Sequence, residues 1–181
     1  AEFLSARPRD SNPEVEFNRF LTYGGMPFSA RLDDERSILD YLGGVFSTIV
    51  LEDVARRYPR MDMRSFRDTA AFLADNIGSI TSRKRIAAGL ASAGAKATAT
   101  TVGSYLDILV ENYLLFKAAR YDLRGHEHLA TLEKYYLGDL GFRFWLLGKA
   151  QGDVGHRIEN AVYLELLRRY RFVHIGKVGT T

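Results

Sequence analysis

Residues 82–113 read SRKRIAAGLASAGAKATATTVGSYLDILVENY, and the architecture of the chain depends on how this stretch folds. Ile86, Ala87 and Leu90 recur at helical spacing in its first half, and Val102, Tyr105, Leu106, Leu109 and Tyr113 do so in its second. Two helices are therefore predicted. Gly94 stops the first, and Thr100 or Thr101 supplies a hydroxyl to cap the second. The turn between them, residues 95–100, is longer than the three or four residues of a tight helix-turn-helix. Residues 114–139, LLFKAARYDLRGHEHLATLEKYYLGD, follow as two strands around a polar tip, so the unit reads as a winged helix.

Towards the N-terminus, Asn12, Pro13 and Glu14 open a helix that runs to about residue 23, where Gly24-Gly25-Met26-Pro27 breaks it. Asp33-Asp34-Glu35 start another, with apolar positions recurring to about residue 58; the Gly43-Gly44 pair predicts a kink, a break or close backbone packing. Asp62 caps a third helix that Gly78 ends. Beyond the hairpin, helices are predicted over 140–150 and 153–170, then a short strand over 171–175. The division expected is a helical segment (1–60), a winged-helix domain (61–138), and the start of an α/β domain (139–181) cut at its C-terminal end. The class is mainly α.

With 181 residues, 46% hydrophobic and 26% charged, the chain has ordinary globular composition. No apolar run is long enough to span a bilayer, which predicts no membrane partner. The absence of cysteine excludes disulfides and thiolate metal sites and fits a cytoplasmic setting. A net charge of +3 is too small to imply nucleic acid unless it is clustered.

Several short signatures together resemble the C-terminal region, of unknown function, of a bacterial and archaeal family of AAA-type ATPases. They are Gly24-Gly25-Met26-Pro27, Asp53 with Arg56 or Arg57, the run Phe72-Leu73-Ala74-Asp75-Asn76-Ile77-Gly78, and Thr101-Val102 with Tyr105-Leu106 and Leu109. Lys134-Tyr135-Tyr136-Leu137 with Asp139 and Gly141, then Gly155, Glu159-Asn160, Val162-Tyr163 and Glu165-Leu166, complete the set. Met26 stands where the family more often has phenylalanine. The resemblance implies a nucleotide-binding module elsewhere in the parent protein, with ATP and Mg²⁺ as its cofactors. It also implies that the last helix and strand begin a restriction-endonuclease-like fold, in which Glu159 is the first, helix-borne acid. No P-loop occurs in this chain, because Gly176-Lys177 lacks the flanking pattern. No cofactor site is expected within it.

Three functions follow as expectations. In the first, the chain is the noncatalytic part of an ATP-binding protein, coupling ATP turnover to DNA or to a protein partner. In the second, it is a winged-helix DNA-binding module. Phosphate contact needs Lys or Arg, and Arg83, Lys84, Arg85 and the wing residue Arg124 are the candidates, with Thr101 and Ser104 as hydroxyl donors. The second helix carries Asp107 and Glu111 and no base, which favours docking or packing over base reading. In the third, the full-length protein is a Mg²⁺-dependent nuclease; one carboxylate, Glu159, cannot complete such a centre. Two further features have structural readings. His126-Glu127-His128 fits a solvated turn better than a metal site, and Asp53 with Arg56 fits an exposed ion pair.

Overall fold

A computed structural model describes residues 2–7, 10–122, 127–148 and 153–177. The order is α1 (Glu2–Ser5), α2 (Pro13–Tyr23), a 3₁₀ turn (Ser29–Arg31), α3 (Glu35–Ser47), a widened π-helical stretch (Thr48–Val54), α4 (Ala55–Arg57), α5 (Met63–Asp75), α6 (Arg83–Ser92) and α7 (Ala99–Glu111). After these come β1 (Leu115–Asp122), β2 (Glu127–Leu137), α8 (Leu140–Leu147), α9 (Val154–Arg169) and β3 (Ile175–Lys177). Among the described residues the fold is mainly helical with one small sheet.

Most helix starts follow from local chemistry. Asn12, Asp34, Asp62, Ser82, Asp139 and Asp153 each accept a hydrogen bond from a free N–H in the first turn of the helix that follows. The cap of α7 is Thr98, whose hydroxyl accepts from the Thr101 amide at 3.2 Å. Thr100 and Thr101 are instead inside the helix, because the chain turns into it two residues earlier than the apolar pattern implies. The Gly43-Gly44 pair leaves α3 continuous: a Cβ on Gly43 would lie 2.6 Å from Trp145 Nε1, so this glycine serves close packing. Distortion comes later, in the π-helical stretch.

Of the last predicted helix pair, the second lies where expected, at Val154–Arg169 with Asp153 as its cap, and the first ends early. α8 ends at Leu147 because Gly148 takes a left-handed conformation, φ 63°. The short strand lies at Ile175–Lys177 rather than over 171–175, since extended backbone becomes a strand only where a partner is available, and β1 offers its residues 120–122 in parallel register.

β1 and β2 pair antiparallel, with the register shifting between Ala118 and Arg120, and the sheet order is β2-β1-β3. Thr81, just before α6, forms an isolated antiparallel bridge with Glu133 of β2. Leu73, Ile77, Ile86, Leu106, Leu109 and Leu115 are almost fully buried together between α5, α6, α7 and the inner face of the hairpin. α8 joins the same core through Leu140 and Phe142. α9 covers the other face of the hairpin, where Tyr163 stacks on Tyr136 with ring centroids 4.0 Å apart.

Candidate functional site

β2 separates the two groups of predicted site residues, because alternate side chains leave a strand on opposite faces. Glu133 and Tyr135 point towards α6 and α7, while Lys134 and Tyr136 point towards α9.

On the first face, α7 buries Val102, Tyr105, Leu106, Ile108 and Leu109 and exposes Ser104, Asp107 and Glu111. Arg83, Lys84 and Arg85 are all exposed in the first turn of α6. The Arg83 guanidinium crosses to α7 and comes within 3.9 Å of Asp107 Oδ1. Gly103 makes room for it, since a Cβ there would meet Arg83 Nη1 at 2.8 Å. Arg85 Nη1 donates to the Ile80 carbonyl at 3.4 Å. The Thr101 and Thr98 hydroxyls are 2.9 Å apart, and the Ser104 hydroxyl donates to Thr100 O at 3.5 Å. Beside them Glu133 binds the Lys117 ammonium and accepts from the Tyr135 hydroxyl. Burial alone would raise the Glu133 carboxyl; these partners outweigh it and hold it below the ordinary glutamate range. Arg124 lies outside the described residues, as do His126 and the side chains of Glu127 and His128.

On the second face, Glu159 Oε1 accepts from Lys134 Nζ at 2.8 Å and from the Tyr136 hydroxyl at 2.6 Å. Burial would raise this carboxyl too, but the two donors together keep it below the ordinary range. The carboxylate also rests on Gly78, where a Cβ would lie 3.1 Å from Oε2 and where φ is +70°. Glu159 thus ties α9 to β2 and to the turn after α5. Among the described residues no three His, Asp or Glu side chains gather as a metal site. Asn160, fully buried, extends the same tie: its Oδ1 accepts from the Leu137 amide at 2.8 Å and its Nδ2 donates to Leu137 O at 3.0 Å. In the sequence, Asn160 stands out only as part of the family signature.

A third cluster joins the glycine loop to α8. Asp139 accepts from Gly141 N at 2.7 Å and from Gly25 N at 2.8 Å, 114 residues away. Burial pushes its carboxyl up to about 6, against the pull of the amides of Gly25, Gly141 and Met26. Gly24, at φ +81°, has no alternative residue, because a Cβ would sit 1.7 Å from Asp139 Oδ1. Nearby, Arg143 and Arg157 are both buried; Arg143 reaches Asp75 at 3.9 Å and Arg157 Nη1 reaches the Thr22 hydroxyl at 3.3 Å. Asp53 and Arg56 form an ion pair at 2.8 Å with both side chains well exposed, so it contributes a few tenths of a kcal/mol.

Residues 14–153 match the model of a family described as a domain of unknown function, DUF8612, and the chain belongs to that family. It is 36% identical over 182 residues to an uncharacterized protein of Haemophilus influenzae, a match that takes in 99% of this chain and 45% of that protein. An uncharacterized protein of Methanocaldococcus jannaschii is 28% identical over 157 residues, 84% of this chain and 34% of the relative. The chain therefore spans less than half the length of either. No solved structure matches it.

Proposed function

We propose that this chain is the noncatalytic portion of a longer AAA-type ATP-binding protein, a winged-helix docking module that couples ATP turnover to a protein partner. The observation that carries the reading is the exposed face of α7. It offers Ser104, Asp107 and Glu111 and no base, and the nearest arginine, Arg83, is turned onto Asp107. A helix that reads the major groove needs donors and cations on that face. The winged-helix assignment rests on the order α5, α6, α7, β1, β2 and on the isolated bridge of Thr81 to Glu133, which ties the residue before α6 to the edge of the hairpin. The greater length of both relatives supports a further module, and the sequence signatures supply the ATPase resemblance. No described helix is long and apolar enough to cross a membrane. A cytoplasmic setting belongs to the same proposal.

The test is ATP turnover by the longer polypeptide, by its remainder and by these 181 residues alone. Turnover is expected in the first two and absent in the third. If the longer polypeptide neither binds nor hydrolyses ATP, the reading is wrong.

A second reading, sequence-independent DNA contact, is favoured by the exposed Arg83, Lys84 and Arg85 at one end of α6. The nuclease alternative has less support. Glu159 spends its carboxylate on Lys134 and Tyr136, so an ion would have to displace both.

A further inference from the structure

α9 carries apolar residues on two sides. Inward it buries Tyr163 together with Arg157 and Asn160, while Val154, Ile158 and Val162 recur at i, i+4, i+8 on the outward side with 48%, 40% and 51% of their surface exposed. A helix that met only solvent on its outward side would carry polar residues there. Of the three, Ile158 and Val162 border a cleft of about 780 Å³ between α2 and α9, lined on the other side by Phe17 and Phe20. Phe17 is itself 47% exposed. The acids around the cleft are already committed: Glu16 to Arg7, and Glu165 to Arg168 and Arg169. A small polar ligand would find few groups here to orient it. An apolar helix face would find an i, i+4 row to pack against.

We propose that this cleft seats a helix from the remainder of the longer polypeptide, one that presents aliphatic or aromatic side chains at i, i+3 or i, i+4 spacing. The length of the relative points to that occupant. The match to the Haemophilus influenzae protein uses almost all of this chain and only 45% of that one, so a covalently linked remainder exists in the relative at high effective concentration. The rim of the cleft at α2 is held in place by this chain's own first residues. Phe3 of α1 meets Phe20 edge-on at 5.5 Å, and Arg7 pins the same segment through Glu16, the Ala30 carbonyl and Asp33. Such an occupant requires only the longer polypeptide, whether or not the remainder hydrolyses ATP.

Carbene footprinting of Ile158 and Val162 in the longer polypeptide, compared with the 181-residue chain, reads the cover directly. Both are expected to be labelled several-fold less in the longer polypeptide. Val162→Glu is expected to restore labelling and lower the melting temperature there by several degrees, while leaving the short chain unchanged because the position is solvent-exposed in it. Equal labelling in the two forms would overturn the proposal. Protection that depends on concentration and tracks a dimer mass would also overturn it, in favour of a second copy.

Discussion

The Asp139 carboxylate holds the Gly25 amide at 2.8 Å and thereby fixes the loop after α2 to the first turn of α8. Its carboxyl is raised to about 6 from an ordinary 3.8, so the folded state binds a proton more readily than the unfolded state. The sign follows: this group's contribution is most favourable at low pH and is lost as pH rises through about 6. Urea midpoints of wild type and Asp139→Asn, compared from pH 7 to pH 4, should diverge in favour of wild type as pH falls. The change is on the order of 3 kcal/mol, since each tenfold difference in proton affinity between the two states is worth about 1.4 kcal/mol. A difference that stays flat across that window contradicts the assignment.

Glu159 should show the opposite dependence. Its carboxyl lies below 4.5 in the fold, so its stabilisation is present above 4.5 and disappears as pH falls through the folded value. Glu159→Gln is expected to unfold at lower urea than wild type at pH 7, and the gap should narrow as pH falls below 4.5. No gap at pH 7 would mean that Lys134 and Tyr136 do not depend on this carboxylate.

Asn160 closes both hydrogen bonds of Leu137 in a fully buried position. Asn160→Leu keeps the size and strands an N–H and a carbonyl without water. A loss of about 2–4 kcal/mol is expected from two unsatisfied backbone groups. Chemical denaturation measures it, and a loss well under about 1 kcal/mol would rule out that role.

Thr98 caps α7, whereas Thr100 and Thr101 lie within it. Thr98→Ala should cost about 1 kcal/mol and Thr100→Ala markedly less. The reverse order in thermal melts would return the cap to Thr100.

Part of this architecture is legible in the sequence and part is not. Asn12, Asp34, Asp62 and Ser82 announce their helices because a cap is a contact between residues two or three apart. The α6–α7 pair and the hairpin are likewise visible in periodicity. The π-helical stretch after Ser47 is not, since its apolar spacing is compatible with an ordinary helix. Strand β3 lies later than its alternation suggests, because its limits are set by β1, far earlier in the chain. The partners of Glu159 are hidden for the same reason. Lys134 and Tyr136 are 25 and 23 residues away, and only the alternation along β2 turns them to α9 while sending Glu133 and Tyr135 to α7.

A face that docks a protein and does not read DNA is the core of the functional proposal. Its sharpest test is fluorescence anisotropy of a labelled duplex titrated at low salt with the 181-residue chain, alongside a variant with Arg83, Lys84 and Arg85 changed to Glu. A docking face predicts no saturable binding by either protein. Saturable binding by wild type that weakens steeply with salt and vanishes in the variant would contradict it.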